Sequence, residues 1–360
     1  MSRTTDRRDE PGDFPRTVVV DDSPFMRGLI TDLLADAGIS VVGEAGDGAE
    51  ALEVVASEQP DVVTMDVEMP GMDGLEAVDR LMDETPTPVL MLSAHTDEGA
   101  EVTFEALERG AVDFFAKPGG EVSAGVSSQA DRLVEAVRSV AGADLDAATR
   151  GRSVRDDASA GAASTTGDTS LEEPVTVIIG ASTGGPNAVE RVMASLPAMD
   201  CRIVIVQHMP EAFTSRFADR LDAASAYDVR EATDGGRIGA GEALVARGGN
   251  HTRIDGYRAG RLRVKLVDDD SLPVAPSVDV TMRSAAETVD DPLVGAILTG
   301  MGSDGAEGIR AMADAGARTL AQSEDTCVIY GMPKRAVETG AVDEVHDLDG
   351  VADAIVGGEA

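Results

Sequence analysis

A chain of 360 residues is long for one ordinary domain and comfortable for two, each burying its own core. Its formal net charge of −36, from 66 acidic against 30 basic residues, repels phosphate backbones and counts against nucleic acid as a partner. No apolar run approaches the roughly 18 residues of a membrane span, the polar start lacks a secretory signal, and Cys201 and Cys327 make no disulfide framework. A cytoplasmic protein, not inserted in a membrane, is expected.

The basic residues are unusual: only Lys117, Lys265 and Lys334 are lysines. Acid excess with lysine depletion fits a protein of a salt-accumulating halophile. Self-repulsion should then destabilise the fold in dilute buffer, and salt should screen it. The melting temperature is expected to rise between about 0.1 M and 2 M KCl, where the screening length shrinks to a few Å. A flat calorimetric Tm over that range would rule the halophile reading out.

In chain order, residues 1–15 lack hydrophobic periodicity and read as a disordered leader. Over 16–143, the short apolar runs RTVVV, ISVVGE, DVVTMD, TPVLMLS and AVDFFAK alternate with helical patterns such as Phe25, Leu29, Leu33 and Leu34. Apolar strands alternating with helices predict a parallel sheet covered on both faces, here five βα units ending in the helix DRLVEAVRSVAGA. Residues 144–173 are rich in Ala, Ser, Thr, Gly and Asp and read as a flexible linker. From VTVIIG a second, doubly wound α/β region fills 174–360, with strands RIVIVQ, PLVGAILTG and TCVIY. The Gly pairs and short alternating runs of 227–267 predict β-hairpins.

In such sheets function lies in the loops at the carboxyl ends of the strands. The first strand of the N-terminal half ends in Asp21-Asp22 and the third in Asp66. Three carboxylates at one edge repel each other unless a cation sits among them, and Mg²⁺ suits hard oxygen ligands best. Ser93 ends the fourth strand, and the fifth leads into Lys117, whose ammonium can pair with Asp66 and with phosphoryl oxygens placed on it. VVVDDSPFMRG, VVTMDVEMPGMDG, MLSA and DFFAKP resemble the response-regulator receiver domain over roughly residues 16–142, which implies a flavodoxin-like five-stranded parallel sheet. By that resemblance Asp66 is the phosphoacceptor, Asp22 a direct Mg²⁺ ligand, Asp21 a ligand largely through water, and the Glu68 carbonyl a third ligand. Ser93 and Lys117 are the phosphoryl-sensing pair, and Phe114 the aromatic that reorients. Glu68 departs from the Asn frequent in that family two residues after the acceptor.

In the second half, VTVIIG runs into Gly180-Ala181-Ser182-Thr183-Gly184-Gly185-Pro186 and then a helical pattern. Strand, G-x-S-x-G, helix is the order of a nucleophile elbow. A Gly-rich phosphate cradle would share the glycines, but neither G-x-G-x-x-G nor G-K-[ST] is present. A serine nucleophile needs a base. His95 belongs to the first domain, and His346 lies in an acidic stretch with no strand end to position it. His208 follows RIVIVQ directly and is preferred to His251, a loop residue. Asp304, in Met301-Gly302-Ser303-Asp304-Gly305 after the strand GAILTG, is either the acid that orients the histidine or a helix N-cap.

IGASTGGP, VIVQHMP, LTGMGSDGA, PSVDVTMRSAA and AQSEDTCVIYGMPK resemble the catalytic domain of the chemotaxis protein-glutamate methylesterases, the CheB family, over about residues 174–347. The resemblance implies Ser182 as nucleophile, His208 as general base then acid, and Asp304 as its orienter. The Met301 N–H and the turn at Thr183 are the candidates for the oxyanion hole. It implies hydrolysis of glutamate methyl esters, and deamidation of glutamines, on methyl-accepting chemotaxis receptors. No cofactor is expected for the esterase reaction. A chemotaxis histidine kinase would phosphorylate Asp66, relieving a receiver that covers the catalytic face, and the enzyme would act as a monomer. The rival readings are a DNA-binding output regulator, a non-catalytic adaptor on the same fold, and a hydrolase acting on another protein.

Overall fold

The structure, a computed structural model, describes residues 14–93, 97–117, 126–145, 147, 174–269 and 271–357. The expected leader, up to residue 13, and nearly all of the expected linker lie outside the described residues.

The first sheet has five parallel strands: β1 (Arg16–Val20), β2 (Ser40–Ala45), β3 (Val62–Asp66), β4 (Val89–Ser93) and β5 (Asp113–Ala116), in the order β2-β1-β3-β4-β5. Its central strands β3 and β4 are buried at every residue, which explains why they read as unbroken apolar runs. Helices α1 (Pro24–Asp36), α2 (Gly48–Glu58), α3 (Gly74–Glu84), α4 (Asp97–Glu108) and α5 (Val126–Ala141) cover the two faces. Asp47 and Asp73 accept from the N–H groups of Glu50 and Glu76, so each starts its helix with a satisfied first turn. The apolar stripe of α1 is rotated from the one expected. Ile30 and Leu34 are buried, whereas Phe25 is 76% exposed, because Ser23 caps the helix and Pro24 begins it with Phe25 on the outer side.

The second sheet is wholly parallel, in the order β15-β14-β13-β6-β7-β10-β8, with β6 (Val175–Ala181), β7 (Cys201–Gln207), β8 (Asp228–Glu231), β10 (Glu242–Val245), β13 (Leu293–Ile297), β14 (Arg318–Gln322) and β15 (Glu344–His346). It carries helices α6 (Gly185–Ser195), α7 (Glu211–Ala224), α8 (Val278–Thr288), α9 (Ala306–Asp314), α10 (Met332–Glu338) and α11 (Leu348–Val356). The hairpin expectation for 227–267 is corrected in part. Strands β8 and β10 join the main sheet, and only β9 (Arg237–Ile238), β11 (His251–Arg258) and β12 (Arg261–Val267) form a separate antiparallel sheet. TCVIY is not a strand: it is the end of a short 3-10 turn and an extended segment touching Gly300 through one bridge at Tyr330. The strands in that region are β14 and β15, and His346, thought to lack a strand, ends β15 and bonds Glu344 Oε2 at 2.8 Å.

The two sheets meet through α4 and β5 on one side and α6 and α7 on the other. Phe104 of α4 stacks on Phe217 at 5.8 Å between centroids, and Phe114 of β5 lies 4.5 Å from Phe213. Phe213 and Phe217 are fully buried. Asn187 Nδ2 donates to the Leu107 carbonyl at 3.1 Å, and Arg220 bridges Glu190 of its own half to Glu108 of the other at 2.8 Å.

Candidate active site

Ser182 emerges directly from β6, the strand at which chain order reverses: β7 lies on one side and β13 on the other. This is the switch point where a doubly wound sheet opens a crevice. The loops after these three neighbouring strands carry Ser182, His208 and Asp304.

The elbow is held by its main chain. Ser182 N donates to the Thr299 carbonyl at 3.0 Å, and the Ser182 carbonyl accepts from Gly185 N at 2.7 Å and from Gln207 Nε2 at 2.8 Å. Gly184 adopts φ +73°, and a Cβ there would strike Val328. Gly300 abuts the nucleophile so closely that an added Cβ would lie 2.7 Å from Ser182 Cβ. Two buried amides that sequence reasoning missed brace the turn. Gln207 bonds the carbonyls of both Ser182 and His208, and Gln322 accepts from Thr299 N at 2.8 Å. Each is the buried last residue of a strand, where a polar side chain must find a partner; that is the signal that would have found them.

His208 follows β7 and lies with Nε2 2.8 Å from Asp304 Oδ2. Asp304 is not the N-cap of the helix that follows it; Gly305 holds that position. Its carboxylate instead lies across the start of α8, accepting from Ser277 Oγ (2.8 Å), Val278 N (2.7 Å) and Asp279 N (3.1 Å). Asp279 returns the arrangement, accepting from Gly305 N and Gly308 N at the start of α9. Burial alone would raise the pKa of Asp304, but the His208 pairing and the N–H donors outweigh it and hold the carboxyl below its usual range.

His251 is buried. Its Nε2 lies 3.0 Å from the Asp269 carbonyl and its Nδ1 accepts from Ser277 N at 3.2 Å, so both ring nitrogens are engaged in the fold. Met301 follows Gly300 beside the nucleophile. The Thr183 side chain hydrogen-bonds Asp113 of β5, which therefore reaches the nucleophile loop from the other sheet. Burial pushes Asp113 up to about 6, against the opposing bonds from Phe114 N and Thr183.

At the carboxyl edge of the first sheet, Asp21, Asp22 and Asp66 bring carboxylate oxygens within 4.8 Å of one another, a donor set that fits a divalent cation. Lys117 Nζ lies 2.6 Å from Asp66 Oδ2 and 2.9 Å from Asp21 Oδ2. Burial raises the pKa of Asp66; Lys117 opposes the shift without cancelling it. Asp22, Asp66, Glu68, Ser93 and Lys117 line one cavity of about 460 Å³. Ser93 Oγ donates to the Gly99 carbonyl at 3.1 Å, tying the cluster to α4, while Phe114 packs against Phe104 and Phe213 at the contact between sheets.

Comparison with known proteins agrees with this layout. A CheB methylesterase family matches residues 177–355, and a response regulator receiver domain matches residues 17–123. A protein-glutamate methylesterase/protein-glutamine glutaminase of Haloarcula marismortui is 56% identical over 360 residues, covering 96% of this chain and 97% of that protein. That of Natronomonas pharaonis is 56% identical over 94% of this chain and 96% of its own length. The bacterial counterpart in Symbiobacterium thermophilum is 45% identical over the same shares. The chain belongs to the CheB family of protein-glutamate methylesterases, with a receiver domain ahead of the methylesterase domain.

Proposed function

We propose that the chain is a phosphorylation-activated serine hydrolase that demethylates glutamate methyl esters, and deamidates glutamines, on methyl-accepting chemotaxis receptors. The observation that carries this reading is the His208–Asp304 pair held at 2.8 Å beside the elbow that presents Ser182.

Asp304 takes the Nε2–H of His208, which leaves Nδ1 as the nitrogen that accepts the Ser182 proton. Ser182 Oγ attacks the γ-carbonyl, and the Thr183 and Met301 N–H groups receive the charge on the carbonyl oxygen. His208 then protonates the departing methoxide, releasing methanol and leaving an acyl ester on Ser182. Water, deprotonated by His208, attacks that ester; its hydroxyl forms glutamate, and the proton returns to Ser182. With an amide the leaving group is ammonia and the sequence is the same. Asp304, held anionic by three donors besides the histidine, stabilises the imidazolium at each transfer.

The chain divides into a receiver at 16–143, a linker at 144–173 and a catalytic domain at 174–360. Asp66 accepts the phosphoryl group from a chemotaxis histidine kinase in the cytoplasm. Asp22, Asp66 and the Glu68 carbonyl would hold Mg²⁺ directly and Asp21 through water, and the ion's charge would neutralise phosphoryl oxygens. Ser93 turning toward a phosphoryl group would give up its bond to Gly99, and Lys117 would follow the new charge. Both changes bear on α4 and Phe114, which form the contact with α7. No helix among the described residues is long and apolar enough to cross a membrane. The enzyme would act as a monomer.

Methanol release from methylated receptor membranes tests this reading. A phosphodonor should raise the rate of the native chain, whereas Asp66→Asn should stay low whatever donor is supplied. Equal stimulation of Asp66→Asn would refute it.

Closure should also respond to pH through Asp113. Burial raises the Asp113 pKa to about 6 while the bond from Thr183 opposes the shift, so a closed state in which that burial outweighs the bond is favoured when Asp113 is protonated and loses ground as pH rises toward 6. The closed fraction of the unphosphorylated protein, followed by small-angle scattering, is expected to grow as pH falls from about 7 to 5.5. Asp113→Asn should be closed at both values; a native protein with no pH response would remove Asp113 from the switch.

A further inference from the structure

The small sheet β11-β12-β9 packs one face on α8, burying Thr252, Ile254, Leu262 and Val264, with Ile254 N donating to Ser284 Oγ at 2.9 Å. Its other face is exposed and basic. Residues 251–267 hold five Arg or Lys against one acid, in a chain with 66 acidic and 30 basic residues overall. The register makes this costly. Arg253 stands opposite Lys265, Arg258 opposite Arg261, and Arg237 opposite Arg263. Like charges directly opposite on a ladder destabilise it, and a chain so rich in Asp and Glu would readily supply opposite charges if stability alone decided. Arg263 pairs with Asp255 at 2.9 Å and Arg261 with Glu242 at 2.9 Å, but Arg253 reaches Glu287 only at 3.8 Å. Among the described residues no carboxylate forms an ion pair with Arg237, Arg258 or Lys265.

The basic face begins at the catalytic edge. His251, which opens β11 opposite Val267, accepts from Ser277, and Ser277 donates to Asp304. Arg253 and Lys265 come two residues further along their strands.

We propose that this face docks an acidic polypeptide surface, the glutamate-bearing helices of the receptor, and so presents their esters to Ser182. The inference rests on the function proposed above and adds the means of recognition. Each turnover replaces a neutral ester or amide with a carboxylate, so a segment carrying several target glutamates is polyanionic. The rest of an enzyme with a net charge of −36 repels such a segment. Guanidinium forks on an exposed sheet offer carboxylates paired, charge-assisted hydrogen bonds that act at contact and survive high salt better than long-range attraction.

The test is the full-length triple variant Arg253→Gln/Arg258→Gln/Lys265→Gln in about 2 M KCl, where screening leaves only contact pairs. KM for methylated receptor membranes should rise about tenfold with kcat changed less than about twofold. Cosedimentation with the same membranes should weaken in parallel, and Tm should hold or rise because like-charge pairs have been removed. Unchanged KM and cosedimentation would overturn the proposal, as would a fall in Tm that accounts for the loss. Equal weakening on vesicles of phosphatidylglycerol without receptor would assign the face to lipid instead and also overturn it. Cosedimentation needs no turnover, so a failure of the esterase reading, seen as methanol release that survives Ser182→Ala, is distinguished from a failure of docking.

Discussion

Ser182→Ala should lower methanol release at least about 10⁴-fold while leaving Asp66 phosphorylation intact. The nucleophile's structural bonds run through its main chain, to Thr299, Gly185 and Gln207, so loss of the hydroxyl leaves the elbow in place. His208→Ala should lose nearly as much, because nucleophile and base act as a unit. Asp304→Ala should cost both rate and stability: it removes the histidine's partner and strips three donors at the start of α8, a capping loss of about 2 kcal/mol. Kinetics on receptor membranes together with thermal melts separate the three. Full activity in His208→Ala, with loss in His251→Ala, would mean that the base has been misassigned.

The second large effect concerns the receiver. A fragment from about Ser170 onward is expected to exceed the unphosphorylated whole chain in activity by about tenfold, the ratio set by a closed state favoured by little more than 1 kcal/mol. The physical basis is the contact of Phe104 and Phe114 with Phe213 and Phe217, the Arg220 bridge, and the bond that Thr183 donates to Asp113. A fragment less active than the intact unphosphorylated protein would mean that the receiver assists catalysis, and the account of control would fall.

Much of this was legible in the sequence for identifiable reasons. Strands β3, β4, β6 and β7 are buried on both faces and so appear as continuous apolar runs, and their carboxyl ends mark where Asp66, Ser93, Ser182 and His208 must lie. Strand β14 was missed because RTLAQ mixes polar residues into a short run, and β15 because it has three residues. Strands β8 and β10 were taken for hairpins because short strands near a sheet edge carry the same local pattern in either setting. The role of Asp304 could not be decided locally, since its partners come from residues 208 and 277–279. The contact between domains was hidden too: Phe104, Phe213 and Phe217 sit where an amphipathic helix would place its own core residues, and nothing in a helical stripe says which domain covers it.

The exchange of carboxylates between α8 and α9 has a consequence for how relatives of this protein should be read. Asp304 holds the first turn of α8 while Asp279 holds that of α9, so an acid at position 304 is needed by the fold whether or not any ester is hydrolysed. A lineage that abandoned catalysis would be free to lose the hydroxyl of Ser182 and the imidazole of His208, but would pay in folding for losing Asp304. Finding that aspartate in a distant member is therefore weak testimony of activity. The serine and the histidine, whose side chains the scaffold can spare, are the positions at which retirement from chemistry would first be written.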